Sequence, residues 1–259
     1  RMVASGPDEV LLIVRNITER KQAQAREFEL VLEKERTRLL RQFIQKMSHE
    51  MRTPLSIINS STYLLVRTNA HEVRQRRAQV IEDQVQRMTR LVDMLLLLLR
   101  LEKDTGANYQ PVYLQRLHDS LCAQMTQRQG QQPVLDCDIP PDLPPVWGSA
   151  DDLREALYQM LDNAFHFTPE EGRIAIRMGA DGDQEWWQVS DTGVGMTAQD
   201  LPHIFETFWR HDESHSTPGL GLGLPIAQMI VNKHGGTIAV ESVLGQGSTF
   251  RVSLPIARQ

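Results

Sequence analysis

Apolar residues at Leu40, Phe43, Ile44, Met47, Met51, Leu55, Ile58 and Leu65 recur in steps of three and four, one stripe along a helix. The pattern predicts a single long helix over 18–68, broken only near Pro54. That proline has no amide hydrogen, and its ring collides with the carbonyl of Glu50. Phe28, Leu32, Leu39 and Phe43 suggest a coiled-coil seam, interrupted by the charged stretch 33–38. A turn at 69–72 leads to a second helix over 74–103, whose end at 91–99 is apolar on nearly every face. Such a surface needs cover on several sides, which a lone hairpin cannot supply. Two hairpins paired into a four-helix bundle can, so a homodimer is expected.

Beyond a hinge at 104–108 the pattern changes to alternating short strands and helices. Residues 109–113 read as extended and 114–128 as helix, followed by short strands at 134–138 and 146–148. Ala150-Asp151-Asp152 caps a helix running to Phe167. Strands 173–178 and 185–190 pair around Gly182, a helix covers 220–233, and 237–241 with 248–254 form a last hairpin. Trp186 and Trp187 are adjacent on a strand, so one enters the core and the other does not. At the start, 9–15 is a compact β-branched run.

Composition changes this picture little. The chain has 259 residues, 41% hydrophobic and 24% charged, which suits a globular protein with a sizeable core. A net charge of −5 gives no support to a nucleic-acid surface, so no nucleic-acid partner is expected. Cys122 and Cys137 show no metal-ligand spacing and read as free thiols in a reducing, cytoplasmic compartment. No secretory leader is visible, and the longest apolar run, 94–99, is too short to span a bilayer. The chain opens in strand material and reads as cut from something longer, which leaves a membrane-anchored parent open.

Candidate chemistry begins at His49. It lies two residues from both Met47 and Met51, roughly 200° around the helix, and so faces away from the apolar stripe. Thr53 shares its face and Glu50 is its neighbour. A zinc-protease reading fails, because Thr53 stands where H-E-x-x-H needs its second histidine.

Four clusters in the second half belong together. Asp162-Asn163-Ala164 sits inside a helix, and Asp191-Thr192-Gly193-Val194-Gly195 follows a strand. The segment 204–210, with Phe205, Phe208 and Arg210, lies in a long loop, and Gly219-Leu220-Gly221-Leu222-Gly223 opens the next helix. Glycines at a helix start let backbone amides approach phosphate oxygens, aided by the helix dipole. A P-loop is excluded by the absence of G-K-[ST], and the H-R-D and D-F-G elements of protein kinases are missing.

Read with the His49 stretch, the order and spacing of these clusters over 41–255 resemble the sensor histidine kinases of two-component systems. The resemblance implies a multidomain α and α+β chain. A long helical hairpin would form a dimeric four-helix bundle, followed by an α/β sandwich ATPase domain of the Hsp90, gyrase and histidine kinase type. Residues 41–104 would be the dimerisation and phosphotransfer hairpin and 109–259 the catalytic ATP-binding domain. Residues 18–40 would be a coiled-coil signalling helix. Residues 9–15 with Asn16-Ile17-Thr18-Glu19-Arg20-Lys21 resemble the exit of a PAS domain, so 1–17 would end an upstream sensor domain.

On this resemblance His49 matches the autophosphorylated histidine, Glu50 the acid that orients or deprotonates it, and Thr53 the residue that helps place water in the reverse phosphatase reaction. Asn163 matches the Mg²⁺-ligating asparagine and Asp191 the acid that accepts the adenine amino group. Gly193 and Gly195 match the first glycine box, and Gly219, Gly221 and Gly223 the second. Phe205 and Phe208 match lid aromatics, Arg210 a lid cation near the phosphates, and His234-Gly235-Gly236 a structural motif. The implied cofactors are ATP and Mg²⁺. The implied partners are a second copy of the chain, a response-regulator receiver domain and the upstream sensor domain.

Two departures stand out. Gln159 occupies a position usually asparagine, and His166 one usually lysine, followed by Phe167 where tyrosine is common. Weaker phosphate neutralisation is the expected result. The alternatives are an Hsp90- or gyrase-like ATPase without phosphohistidine, or a degenerate kinase acting as scaffold or phosphatase. His203, His211 and His215 fall in the lid without partners at metal spacing. His71 and His118 read as surface positions.

Overall fold

A computed structural model describes residues 2–4, 10–12, 18–103, 109–126, 133–209 and 221–257. The chain divides into two compact units, Arg1–Thr53 and Pro54–Gln259. The expected hinge at 104–108, Asn16 of the PAS-like exit, Arg210, His211, His215 and Gly219 lie outside the described residues, as do the side chains of Phe28, Leu32 and Leu39.

In the first unit β1 (Met2–Ala4) pairs antiparallel with β2 (Val10–Leu12). Helix α1 (Thr18–Arg67) begins here and carries Met47, His49, Glu50 and Thr53. The break expected near Pro54 does not occur, since α1 continues through it. A proline removes only its own rung of the hydrogen-bond ladder, and the rungs on either side hold the helix.

The second unit contains the rest of α1 and α2 (His71–Lys103). The turn between them is shorter than the pattern suggested: the Thr68 amide still bonds to the Leu64 carbonyl, and the Thr68 hydroxyl accepts the Ala70 amide at 3.3 Å. The chain then runs through β3 (Gln110–Val112), α3 (Leu114–Thr126), β4 (Val134–Asp138), β5 (Val146–Gly148) and α4 (Ala150–Phe167). It continues through β6 (Arg173–Asp181), β7 (Gln184–Asp191), α5 (Gly223–Lys233), β8 (Thr237–Val243) and β9 (Gly247–Pro255). No described helix is long and apolar enough to cross a membrane.

Five strands form one sheet in the order β4-β6-β7-β9-β8, with β4 parallel to β6 and every other pair antiparallel. Alternation sets its two faces. Ile174, Ile176 and Met178 of β6, Trp187 and Val189 of β7, and Phe250, Val252 and Leu254 of β9 are buried. Leu153, Leu157, Met160 and Leu161 of α4 and Ile226, Ile230 and Val231 of α5 complete the core. Trp187 is fully buried, while Trp186 stays half-exposed with the Arg251 guanidinium 4.2 Å over its ring. In this unit β3 and β5 form a separate two-stranded antiparallel pair.

One expectation for α3 needs correcting. His118 is not at the surface: it is 3% exposed and lies in the buried stripe Leu114, His118, Leu121, Met125. The three- and four-residue spacing of that stripe was present in the sequence.

Candidate functional site

In the first unit His49 is exposed and Glu50 half-buried on the same turn of α1. The Ser48 hydroxyl donates to the Ile44 carbonyl at 2.8 Å, and the Thr53 hydroxyl to the His49 carbonyl at 3.4 Å. Both hydroxyls thus bond back along the helix rather than to the imidazole.

In the second unit the end of β7, with Asp191, Gly193 and Gly195, runs beside the C-terminal end of α4. Alternation along β7 puts Asp191 on the same buried face as Glu185, Trp187 and Val189. Its Oδ1 accepts the Gly193 amide at 2.8 Å and the Ser248 amide at 3.3 Å. No hydrogen bond among the described residues reaches Oδ2. Burial pushes the Asp191 carboxyl up from its ordinary value, and the two amides oppose that rise.

The glycines after Asp191 are required by close backbone approach. A Cβ on Gly193 would overlap the Phe167 carbonyl oxygen at the end of α4. Gly195 has φ +64°, and a Cβ there would overlap the Val243 carbonyl at the end of β8. The two glycines therefore let the β7 exit run between α4 and the β8–β9 turn. Val194 follows the same path, its amide donating to the Phe167 carbonyl at 3.2 Å.

On α4, Ser149 is the N-cap, its hydroxyl accepting the Asp152 amide, one residue before the cap the sequence suggested. Asn163 is half-buried, and its carboxamide makes no hydrogen bond among the described residues. His166, in the last turn, is exposed and meets Phe167 edge-on at 4.9 Å between ring centres. Gln159 is buried, donates to Glu155 Oε1 at 2.5 Å, and lies where a Cβ on Gly223 would overlap its own oxygen. The departure at Gln159 therefore serves helix packing between α4 and α5.

Of the second glycine run, only Gly223 opens α5; Gly221 precedes it with φ +63°. Phe208, half-buried, bonds through its amide to the Gly221 carbonyl. His203 pairs with Glu206 at 2.7 Å and stacks near Trp209. A cleft of about 470 Å³ between Phe205, Thr207 and the α5 residues Gln228, Met229, Asn232 and Lys233 shares no lining residue with the Asp191 and Asn163 cluster.

His234 is structural, as its motif implied. Its Nδ1–H donates to the Ile230 carbonyl at 2.7 Å, and its Nε2 accepts the Ser149 amide at 3.0 Å. Tyr109 stacks on the ring at 4.6 Å. A contact the sequence reading missed is the ion pair between Arg100 at the end of α2 and Asp152 at the start of α4.

Comparison with known proteins agrees with this geometry. The His Kinase A (phospho-acceptor) domain family matches residues 39–104, and the family described as histidine kinase-, DNA gyrase B-, and HSP90-like ATPase matches 148–258. Sensor histidine kinase RppB of Synechocystis sp. is 33% identical over 83% of this chain and 49% of its own length. The phosphate regulon sensor protein PhoR of Pseudomonas aeruginosa is 34% identical over 95% of this chain and 54% of its own. The chain thus spans about half the length of these curated relatives. Full-length ShkA, solved in complex with AMPPNP, is 28% identical over 82% of this chain and 45% of that one, with a TM-score of 0.62. The Acinetobacter baumannii histidine kinase AdeS shares the fold at 20% identity and a TM-score of 0.64, over 81% of this chain and 98% of that one. With a phospho-acceptor helix followed by this ATPase fold, the chain belongs to the sensor histidine kinases of two-component systems.

Proposed function

We propose that this chain is the catalytic portion of an ATP-dependent protein histidine kinase that phosphorylates its own His49. Residues 41–104 serve as the phosphotransfer hairpin, 109–259 as the ATP-binding domain, 18–40 as a signalling helix and 1–17 as the end of a sensor domain. The observation that carries the reading is the exposed His49 imidazole within the stretch matched by the phospho-acceptor family.

ATP is the phosphoryl donor. Its adenine amino group donates to the Oδ2 of Asp191, which no described residue occupies. Gly221 and Gly223 offer backbone amides to the phosphates, Phe208 covers the nucleotide, and the family resemblance assigns Gly219 and Arg210, which lie outside the described residues, to the phosphates as well. The half-buried carboxamide oxygen of Asn163 is a hard donor that fits Mg²⁺, which when bound offsets polyphosphate charge. His166 takes the place of a fixed cation there and supplies less charge.

The unprotonated ring nitrogen of His49 attacks the γ-phosphorus. A nitrogen–phosphorus bond forms as the bond to the β,γ-bridging oxygen breaks, and ADP departs with that electron pair. Glu50 accepts a hydrogen bond from the other ring N–H and stabilises the positive charge gathered by the imidazole. Positioning is the main contribution, so catalysis requires the γ-phosphate within bonding reach of His49. The phosphoryl group then passes to an aspartate on a response-regulator receiver, and Thr53 places water for the reverse reaction.

A homodimer is supported by apolar side chains left exposed on the hairpin of a single chain, among them Leu55, Val66, Val85, Leu96 and Leu99. An upstream sensor domain supplies the input, and these domains work in the cytoplasm.

Incubation with γ-labelled ATP tests the proposal. The expected label is acid-labile and base-stable, and it disappears in His49→Gln while nucleotide binding persists. Acid-stable label, or label that survives His49→Gln, sinks it. Binding without label would indicate a scaffold, and steady phosphate release without label an ATPase.

A further inference from the structure

Away from the nucleotide site, three metal-ligating side chains converge from two elements. His118 and Cys122 lie four residues apart on one face of α3, and Cys137 comes from the edge strand β4. Their donor atoms all lie within 4.8 Å of one another. The Cys122 sulfur is 3.3 Å from His118 Nε2 and 3.6 Å from Nδ1.

A tetrahedral zinc ion with bonds of about 2.0–2.1 Å to nitrogen and 2.3 Å to sulfur separates its nitrogen and sulfur ligands by about 3.6 Å, and two sulfurs by about 3.8 Å. The cluster is therefore near ligand spacing before any ion arrives. The imidazole is buried, Cys122 half-buried and Cys137 exposed, so an ion has both a fixed anchor and a path from solvent. We propose that His118, Cys122 and Cys137 form a binding site for a thiophilic metal ion of the zinc class, with a solvent molecule as the fourth ligand.

The chemistry balances. Two thiolates neutralise a divalent ion and a neutral imidazole completes the protein ligands, while Asp119 adds a negative charge nearby and Asp136 is offset by its ion pair with Arg177. Because the thiolate is the metal-binding form, binding of an ion releases the thiol protons. A bound ion staples α3 to β4. From there Gln124, which accepts from Arg154 at 2.6 Å, links α3 to α4, the helix that carries Asn163. A disulfide between the two cysteines would leave the buried imidazole without a purpose in the cluster.

The untagged full chain, reduced with a phosphine and freed of metal by a chelator, is titrated with Co²⁺ and then Zn²⁺. One equivalent of Co²⁺ is expected to give a thiolate-to-cobalt charge-transfer band and the visible bands of tetrahedral cobalt. One equivalent of Zn²⁺ should bleach them and protect both thiols from alkylation. Cys137→Ser, at an exposed position, should lose the charge-transfer intensity and more than about a hundredfold in affinity, beyond the loss expected for an outer-shell partner. His118→Asn should weaken binding while both thiols remain. Binding of an ATP analogue by each variant confirms that it is folded. Absent cobalt bands, bands unchanged in Cys137→Ser, or a Cys122–Cys137 disulfide whose reduced form binds no cobalt would each overturn the site.

Discussion

The amide of Phe208 donates to the carbonyl of Gly221 at 2.7 Å, so residues on either side of the 210–220 segment are tied to each other. Both have left-handed backbones, with φ of 65° and 63°. For phenylalanine that conformation is costly, and such strain persists only where surrounding structure enforces it.

Gly221→Ala tests this tie. A Cβ there would stand 2.7 Å from the Trp209 carbonyl oxygen and 2.9 Å from the Phe208 backbone. The expected cost is about 1–3 kcal/mol of stability together with weaker nucleotide binding. Denaturant unfolding and titration with a non-hydrolysable ATP analogue measure the two effects. Unchanged affinity would separate the tie from nucleotide binding.

Asp191→Asn should keep the fold and lose the nucleotide. The asparagine oxygen can still accept from Gly193 and Ser248, but its NH₂ then faces the adenine amino group, donor against donor. The expected penalty is about 1–3 kcal/mol, roughly a five- to hundredfold loss in affinity by calorimetry. Because burial raises the Asp191 carboxyl, parent affinity should also begin to fall at a higher pH than for an ordinary aspartate as the solution is acidified.

Glu185 provides a pH signature of stability. Its carboxylate oxygens are buried with no hydrogen-bond partner among the described residues, and burial moves its pKa from an ordinary 4.5 to about 8. The folded state therefore holds a proton that the unfolded state releases. Stability is fully present below about 4.5 and declines as pH rises through about 8, by up to about 1.4 kcal/mol per unit. Glu185→Met should remove this slope, so that its melting temperature exceeds the parent's by a margin that widens from pH 5.5 to pH 8.5, roughly the window that the shift defines. Parallel curves would refute the assignment.

Arg100→Ala should loosen the end of α2 from α4. Asp152 is 4% exposed in its side chain but Arg100 is 56% exposed, so the pair is partly screened and worth about 1 kcal/mol. Asp152 also keeps the Ser149 cap and the positive end of α4. The loss should shrink at high salt, and a double-mutant cycle with Asp152→Asn isolates the coupling.

Local pattern was enough for much of this chain. Three- and four-residue steps located α1, the capping signal at 150–152 located α4 to within one residue, and the turn at Gly182 located the β6–β7 hairpin, because each signal lies within a short stretch of chain. Period-two alternation put one of Trp186 and Trp187 inside, and the order of Asp191, the glycines and Asn163 was readable with no fold in hand. The stripe of Leu114, His118, Leu121 and Met125 was legible too, but a histidine by itself reads as a surface residue.

The sequence by itself determined the elements, which follow from short-range spacing, and it named the candidate groups around His49 and Asp191 through the resemblance of their order to a known family. Only the tertiary structure decided that Asp191 shares its oxygen with the Ser248 amide, that Gln159 sits against Gly223, and that His118, Cys122 and Cys137 meet. Those contacts join residues distant along the chain. They arise from strand order and helix packing, which many separate segments determine jointly through burial and which no local repeat encodes.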